Sequence, residues 1–541
     1  MSLIPKIIRA GFAHRLREID RFRRHGAEVQ AEQLASLLKK GATTSFGREH
    51  GLHGVVGPEQ FAARVPIREY AGFDDYIRRQ RGGERSVLWP GETRWFAQSS
   101  GTTGSKSKFI PVTRDGLGQG HLQGARDCIA FNVERNPDTR VYGGKTLTLG
   151  GSRRIESGCT GGGTANGAGG GTGGGTGGGT GGGTKNRVKT GDLSAILIEN
   201  TPKLLNLWRT PGVETALLAD FEQKVERICR ECSEQDVRSL AGVPSWNLVM
   251  LGKVLEYTGK QNLLEVWPRL ELFIHGGVNF APYRDIYRRL IPSDGMRYLE
   301  TYNASEGFFG IADEFGEDML LMLDYGVYYE FVPIGEPDTP SEAVPLEGVR
   351  AGVNYAMVIS SSNGLWRYMI GDTVRFTSTD PYRIVISGRT KHYINAFGEE
   401  LIVDNAERAI IAACAATGAE VAEYTAAPVY MELGRRGAHQ WMVEFRREPG
   451  SMEAFVDALD SALMDENSDY EAKRMHSTTL CRPVVVSVPP GTFLEWMSSR
   501  GKTGGQNKVP RLANNRQYVD GLWDSIGEEV RRTIKKQTVC I

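Results

Sequence analysis

The sequence predicts an α/β fold with a large N-terminal domain of mixed sheets and helices and a smaller α+β C-terminal domain. Apolar runs of strand length recur along the chain, as at residues 356–359 and 383–386. Residues 404–417 instead follow helical periodicity, with Asp404 placed to cap the start of the helix and Gly418 to end it. The chain of 541 residues is long enough for several domains.

The C-terminal domain is predicted from a separate alternation of elements. Strand-like residues 440–445 precede a helical stretch at 451–466 and a further strand at 483–488. This alternation is typical of a compact α+β unit, and we expect its boundary near residues 387–391. The predicted domains are therefore residues 1–387 and residues 388–541.

One segment of the N-terminal domain consists almost entirely of glycine and threonine. It occupies residues 158–184 and repeats GGGT from residue 169 to residue 184. Such a composition cannot bury enough apolar surface to offset the entropy of ordering the chain. We expect a disordered insert in a surface loop, with a binding role as the less favoured alternative.

Composition and charge argue against several classes of protein. The 65 basic and 65 acidic residues give a net charge of zero, so there is no electrostatic reason to expect nucleic acid or an anionic membrane as a partner. The apolar runs are too short for a membrane span or a signal peptide, which predicts a cytoplasmic protein. The seven cysteines form no disulfide pattern, and the CxxC pair Cys229 and Cys232 has no second pair at zinc spacing.

The SSGTTGSKSK stretch at residues 99–108 has the composition of a phosphate-binding loop. Ser99, Ser100, Thr102 and Thr103 offer hydroxyl groups, and the glycines allow the backbone to approach an anion closely. The lysines that follow can neutralise phosphate charge. The spacing fits neither a Walker loop nor a dinucleotide-binding turn. Strand-like residues on both sides predict a loop between two strands.

Two further motifs follow in an order that suits a nucleotide site. YNASEG at residues 302–307 offers the ring of Tyr302 to a purine and the carboxylate of Glu306 to a divalent cation. WRYMIGD at residues 366–372 ends in Asp372, which is predicted at a strand end, where a carboxylate can accept both ribose hydroxyls. A single such acid is more often an exposed loop residue, so the prediction depends on the order of the three motifs.

These motifs, together with SGR at 387–389 and GGQNKVPR at 504–511, resemble those of the acyl-acid amido synthetases, the Gretchen Hagen family of plants and its bacterial relatives. The resemblance covers nearly the whole chain. It implies an adenylate-forming N-terminal domain and a mobile C-terminal domain. It also implies a two-step reaction with ATP: a carboxylic acid becomes an acyl-adenylate, and the amine of an amino acid then displaces AMP.

The resemblance implies a nucleotide site built from the motif residues. The hydroxyl groups at 99, 100, 102 and 103 and their backbone amides would hold the phosphates, and Asp372 would hold the ribose. Gly276, Gly277 and Tyr302 would enclose the adenine. The full set of nucleotide-binding residues would be Ser99, Ser100, Thr102, Thr103, Gly276, Gly277, Tyr302, Ser305, Asp372 and Arg389.

The resemblance also implies catalytic and hinge residues. Glu306 would bind Mg²⁺ between the phosphates. Lys508 would be the catalytic lysine of the mobile domain, reaching the α-phosphate and the carboxylate in the adenylating pose. The C-terminal domain would turn about Lys391, although an ordinary linker lysine explains that position equally well.

The expected substrates are a small carboxylic acid and an amino acid. An acyl pocket is predicted between the helix at 121–131 and the segment at 242–246, with an apolar lining of Leu122, Ile129, Phe131 and Trp246. Core packing explains each of these residues equally well. Two other functions remain open: an acyl-CoA ligase, which would share the adenylation motifs, and a non-catalytic scaffold that binds nucleotide.

Overall fold

The computed structural model describes residues 3–100, 107–150, 153–155, 188–218, 220–334, 342–390, 393–475, 479–500 and 509–526. Within these ranges the fold is mixed α/β, as predicted. Thr102, Thr103, Lys391 and Lys508 lie outside the described residues, as do the side chain of Ser100 and the Gly/Thr segment at 158–184. The predictions for them stay predictions.

Helices cover the N-terminal end of the chain and alternate with strands after it. In the described residues a π-helical turn at Leu117–Leu122 joins α7 to α8. The α-helices are α1 (Leu3–Gly11), α2 (Ala13–Arg24), α3 (Gly26–Gly41), α4 (Ser45–Glu49), α5 (Gly57–Arg64), α6 (Asp74–Arg81), α7 (Arg114–Gly116), α8 (Gln123–Arg135), α9 (Leu193–Asn200), α10 (Val213–Ala216), α11 (Phe221–Ser233), α12 (Pro244–Thr258), α13 (Leu263–Val266), α14 (Arg284–Leu290), α15 (Val403–Thr417), α16 (Met452–Glu466), α17 (Ser468–Arg474), α18 (Thr492–Ser499) and α19 (Gln517–Ser525).

The strands of the described residues form four sheets. In chain order they are β1 (Trp95–Ser100), β2 (Ser107–Val112), β3 (Lys145–Thr148), β4 (Arg153–Ile155), β5 (Lys189–Gly191), β6 (Arg209–Thr210), β7 (Val237–Gly242), β8 (Leu272–Gly276), β9 (Arg297–Ala304), β10 (Gly307–Ile311), β11 (Met319–Leu321), β12 (Val327–Ile334), β13 (Val344–Pro345), β14 (Asn354–Ser361), β15 (Tyr368–Thr379), β16 (Tyr382–Arg389), β17 (Tyr393–Ile394), β18 (Leu401–Ile402), β19 (Glu420–Val429), β20 (Ala438–Arg447) and β21 (Val484–Val488).

The largest sheet places Gly276 and one of the predicted motifs at the same edge. Its twelve described strands run in the order β13-β12-β14-β15-β16-β11-β10-β9-β8-β7-β3-β6. The strands from β6 to β9 pair in parallel, and those from β9 to β13 pair antiparallel. The carboxyl ends of parallel strands are where open α/β sheets bind ligands. Gly276 and the YNASEG motif both lie at these ends.

The C-terminal elements confirm the α+β prediction. β19, β20 and β21 form a sheet, and α16 lies between β20 and β21 along the chain. The predicted helix at 404–417 corresponds to α15 and is followed by Gly418 in the left-handed conformation. Asp404 is not its cap: Ile402 precedes the helix, and the Asn405 side chain accepts the N–H of Ile402 at 3.2 Å. Asn405 is the better cap because its side chain can reach back to this backbone donor.

Two large apolar cores hold the described residues together. The first joins the N-terminal helices to the antiparallel part of the large sheet and includes Phe46 and Trp366. The second includes Phe273 of β8 and Trp441 of β20. The C-terminal elements therefore share a core with the parallel part of the large sheet.

Cys229 and Cys232 lie on one helix, α11, as buried free cysteines. Among the helices of the described ranges, none has the length and apolar character needed to cross a bilayer.

Candidate active site

The phosphate-binding motif begins and ends on a β-hairpin. β1 and β2 pair antiparallel, with Ser99 opposite Lys108 and Ser100 opposite Ser107, which confirms the strands predicted on either side of the loop. Lys108 is buried. Burial lowers the pKa of its ammonium group, although the nearby carboxylates of Glu306 and Glu400 oppose this shift. The hairpin thus brings a cation next to the YNASEG motif.

Glu306 lies in the turn between β9 and β10, and its side chain is buried. Burial raises the pKa of this carboxyl group to about 7, against the opposing charge of Lys108. The hydroxyl of Tyr368 donates to its Oε1 at 3.4 Å. The amide of Asn363 donates to the backbone oxygen of Glu306 at 3.1 Å and accepts the N–H of Thr113 at 3.0 Å. This amide fixes the turn against the start of α7.

Asp372 is held by two side chains from other parts of the chain. The hydroxyl of Tyr302 donates to its Oδ2 at 2.6 Å, and Nε of Arg389 donates to its Oδ1 at 2.8 Å. The register of β15 and β16 sets Asp372 opposite Arg389. Asp372 lies inside β15, so the prediction that it stands at a strand end is wrong. Each carboxylate oxygen keeps a further lone pair for the hydroxyl of a ligand.

Arg389 links Asp372 to a residue of the C-terminal part. Its Nη2 lies 3.1 Å from Oε1 of Glu400, and its guanidinium group stands 5.3 Å from the ring centre of Tyr393. Burial opposes the positive charge of Arg389, but the carboxylates of Glu400 and Asp372 hold its pKa well above the ordinary value. Arg389 is therefore fully charged and faces carboxylates on two sides.

At the end of β8, a glycine lets the backbone of this strand lie close to that of β9. A Cβ at Gly276 would lie 2.3 Å from the backbone oxygen of Thr301, so only glycine fits there. Gly277 has a φ of +84°, a conformation that favours glycine. Tyr302 is buried beside this turn, with its ring 5.0 Å from that of Phe309. Ser305 is partly exposed in the turn that contains Glu306.

The predicted acyl-pocket residues do not form one group. Leu122 and Ile129 are seven positions apart and share one side of the helical segment. Phe131 follows Ile129 by two positions and therefore lies on roughly the opposite side of the helix. Phe131 is buried in the first core, with the guanidinium group of Arg23 5.8 Å from its ring centre. Trp246 lies against the C-terminal part, with Nζ of Lys473 5.3 Å from its ring centre.

Sequence reasoning gave no role to several polar residues of this region, among them His121. Its Nδ1 lies 2.8 Å from Oδ1 of Asn303, in the YNASEG motif, and burial lowers the pKa of the imidazole to about 4. Within the described part of the chain its buried Nε2 has no hydrogen-bond partner. Asn303 was visible in the motif, but His121 precedes it by 182 positions, and no local pattern joins them.

The comparison with family models covers most of the chain. The model of the GH3 family N-terminal domain matches residues 15–165 and 180–296. The model of the GH3 family central domain matches residues 320–389, and that of the GH3 family C-terminal domain matches residues 404–517.

Named relatives and solved structures agree with these matches. The chain is 24% identical to the indole-3-acetic acid-amido synthetase GH3.8 of Oryza sativa subsp. indica, over 95% of this chain and 93% of the relative. It is 25% identical to the jasmonoyl--L-amino acid synthetase JAR4 of Nicotiana attenuata, over 66% and 68% of the two chains. Its fold is similar to that of the GH3.15 acyl acid amido synthetase, with a TM-score of 0.56 at 18% identity over 94% of this chain and 95% of that one.

A ligase of another kind has a similar fold. A structure of 2-hydroxyisobutyryl-CoA ligase with its acyl-adenylate and CoA matches with a TM-score of 0.54 at 14% identity, over 93% of this chain and 94% of that one. This likeness concerns the fold alone. The family models, in contrast, match all three parts of the chain, and the protein belongs to the GH3 family.

Proposed function

We propose that the protein is an ATP-dependent acyl-acid amido synthetase, which converts a carboxylic acid to an acyl-adenylate and transfers the acyl group to the amine of an amino acid. The observation that carries the proposal is the convergence of Tyr302, Asp372 and Arg389 beside the buried side chains of Glu306 and Lys108. Relatives across 95% of the chain are named as amido synthetases. Adenylation of a carboxylic acid with ATP would use these acidic and basic side chains to hold the ribose, the phosphates and Mg²⁺.

The mechanism requires positioning and charge neutralisation more than proton transfer. A carboxylate that attacks the α-phosphate of ATP is repelled by the phosphate charge. The Lys108 ammonium and the hydroxyl of Ser99 would hold the phosphates, and Asp372 would accept the ribose hydroxyls while Tyr302 and Arg389 keep it in place. Fixing both reactants in this way lowers the entropic part of the barrier. Gly276 and Gly277 would leave room for the adenine at the end of β8.

Mg²⁺ is part of the proposal, and Glu306 is the residue that would hold it. In the described ranges no three His, Cys, Asp or Glu side chains converge as a metal site. Mg²⁺ does not need such a site, because it is commonly held by one or two carboxylates together with substrate phosphates. The buried carboxyl group of Glu306 beside Lys108 fits this arrangement. When bound, the ion would neutralise the charge on the phosphates.

The acid is proposed to bind beside the π-helical turn. Leu122 and Ile129 offer an apolar surface suited to an arylacetic acid or a fatty acid of medium length. His121 is neutral near pH 7, because burial lowers its pKa to about 4. Because Nδ1 donates to Oδ1 of Asn303, the unpaired Nε2 of the neutral ring is an acceptor, and it would accept one hydrogen bond from a hydroxyl or N–H group of the bound acid without adding a charge. A cytoplasmic location completes the proposal, since the reaction consumes ATP.

Exchange of radioactive pyrophosphate into ATP over a panel of carboxylic acids tests the first half-reaction. Acid-dependent exchange is expected, followed by release of an amide when an amino acid is added. A product that forms with CoA and not with an amino acid would instead identify the protein as a thioester-forming ligase. A CoA ligase of similar fold is known. Nucleotide binding without exchange for any acid would indicate a scaffold.

Deletion of the Gly/Thr segment is expected to have little effect. The described strands on either side of it, β4 and β5, pair antiparallel with Ile155 opposite Lys189, so the chain before and after the segment is already side by side. Removing residues 161–184 leaves these strands joined by a shorter connection. We expect the melting temperature and the exchange rate to stay close to those of the parent. A clear loss of either would show that the segment contributes to the folded protein.

A further inference from the structure

The loop at residues 395–400 brings the C-terminal part of the chain into contact with the candidate nucleotide site. The amide of Asn395 donates to the backbone oxygen of Gly277 at 3.3 Å. The hydroxyl of Tyr283 donates to the backbone oxygen of Ala396 at 2.6 Å. One of these contacts is made by a proposed adenine-binding residue, so the loop touches the same region that the nucleotide would occupy.

A buried pair of side chains, Glu399 and His439, fixes the shape of this loop. The carboxylate of Glu399 accepts the N–H groups of Ala396 at 3.2 Å and Phe397 at 2.7 Å. Nε2 of His439, on β20, lies 2.8 Å from Oε1 of Glu399, and both side chains are completely buried. A buried carboxylate with this many partners holds its surroundings in one arrangement. The loop therefore presents its next residue, Glu400, in a defined place.

Glu400 has a backbone conformation that glutamate rarely adopts. Its φ is +42°, in the left-handed region that favours glycine. Such strain persists only where the surroundings impose it, and it is commonest at functional sites. Here the strained conformation directs the carboxylate to Arg389, whose Nη2 lies 3.1 Å from Oε1 of Glu400.

Arg389 is thereby held at two different nitrogens. Glu400 engages Nη2, and Asp372 accepts from Nε at 2.8 Å. Because the guanidinium group is planar and rigid, two contacts at separate nitrogens define its orientation. Asp372 depends on that orientation, since Arg389 and Tyr302 are the side chains that hydrogen-bond to it among the described residues.

We propose that Glu400 is a positioning residue of the nucleotide site: it acts through Arg389 to hold Asp372 ready for the ribose, so that nucleotide binding depends on the docked 395–400 loop. The inference rests on the proposed function, because it takes Asp372 as the ribose acceptor. It goes beyond that function by assigning the site a residue from the C-terminal part, eleven positions after Arg389.

Binding of AMP to the purified full-length protein tests this inference by calorimetry. AMP contains the ribose and needs neither acid nor amine. E400Q removes the charge and is expected to weaken AMP binding about tenfold, and R389K is expected to weaken it at least as much. The double variant should bind no more weakly than R389K alone, because Glu400 acts through Arg389. Independent, additive losses or unchanged binding by E400Q would overturn the inference.

Two further variants separate positioning from folding. E400G also lacks the carboxylate but relieves the backbone strain, so it should melt no lower than E400Q while binding AMP equally weakly. AMP affinity restored to the parental value in E400G would assign the effect to strain and overturn the inference. Asp457→Asn removes a carboxylate from an exposed ion pair, 2.8 Å from Nη1 of Arg482, and should bind AMP like the parent. A parent that binds no AMP would contradict the proposed function itself.

Discussion

Replacing Glu306 with glutamine is expected to lower acid-dependent pyrophosphate exchange at least about a hundredfold, while ATP still binds weakly. Glutamine keeps the size of the side chain and can still accept from the hydroxyl of Tyr368. It cannot balance the charge of Mg²⁺, and it removes the carboxylate that most favours the charged form of the buried Lys108. Both losses act on the phosphates during adenylation, so the exchange rate should fall far more than ATP binding.

The same substitution at a second buried glutamate provides the control. Glu300 lies on β9, the strand that precedes the turn of Glu306, and burial raises the pKa of its carboxyl group. Glu300→Gln is expected to exchange pyrophosphate at nearly the parental rate, because Glu300 has no role in the proposed site. Circular dichroism and thermal unfolding of both variants would show that each is folded. If E306Q exchanged within a few fold of the parent, Glu306 could not be the residue that holds Mg²⁺.

The sequence predicted those features of the fold and site that depend on local pattern. The strands on either side of the phosphate-binding motif, the helix α15 and the C-terminal α+β unit follow from the spacing of apolar residues, and the structure confirms them. Local pattern was less reliable for the exact place of a residue within an element. Asp372 lies inside β15, because the strand continues through the glycine before it, whose φ is +96°.

The remaining features depend on contacts between distant parts of the chain. Tyr302 and Asp372 are 70 positions apart, and His121 meets Asn303 across 182 positions. The large sheet, which contains both β9 and β15, and the contact of the π-helical turn with β9 create these hydrogen bonds, and neither the strand order nor the packing can be read from a motif. The same limit applies to Phe131, which is apolar and close to Ile129 in sequence but lies on another side of the helix.

Replacing Lys508 with alanine is expected to separate the two half-reactions. The role of Lys508 rests on the motif resemblance, and the residues directly after it are anchored on the C-terminal sheet. The hydroxyl of Thr425 donates to the backbone oxygen of Pro510 at 2.6 Å, and the N–H of Ala426 donates to that of Arg511 at 2.9 Å. A lysine attached to this anchor would move with the C-terminal part as a unit and reach the α-phosphate in one pose only.

In that pose its ammonium group would offset the charge that develops on the phosphate and carboxylate oxygens. Losing such a contact costs about 3 to 4 kcal/mol, so pyrophosphate exchange by K508A should fall a few hundredfold. Supplied with preformed acyl-adenylate and an amino acid, K508A should make amide at nearly the parental rate, because the motif resemblance implies that the C-terminal domain carries the lysine away before the amine reacts. Lys502→Ala, in the same glycine-rich stretch, is the matched control and should leave both rates unchanged. Equal losses in the two assays would mean that Lys508 supports the fold or acts in both poses.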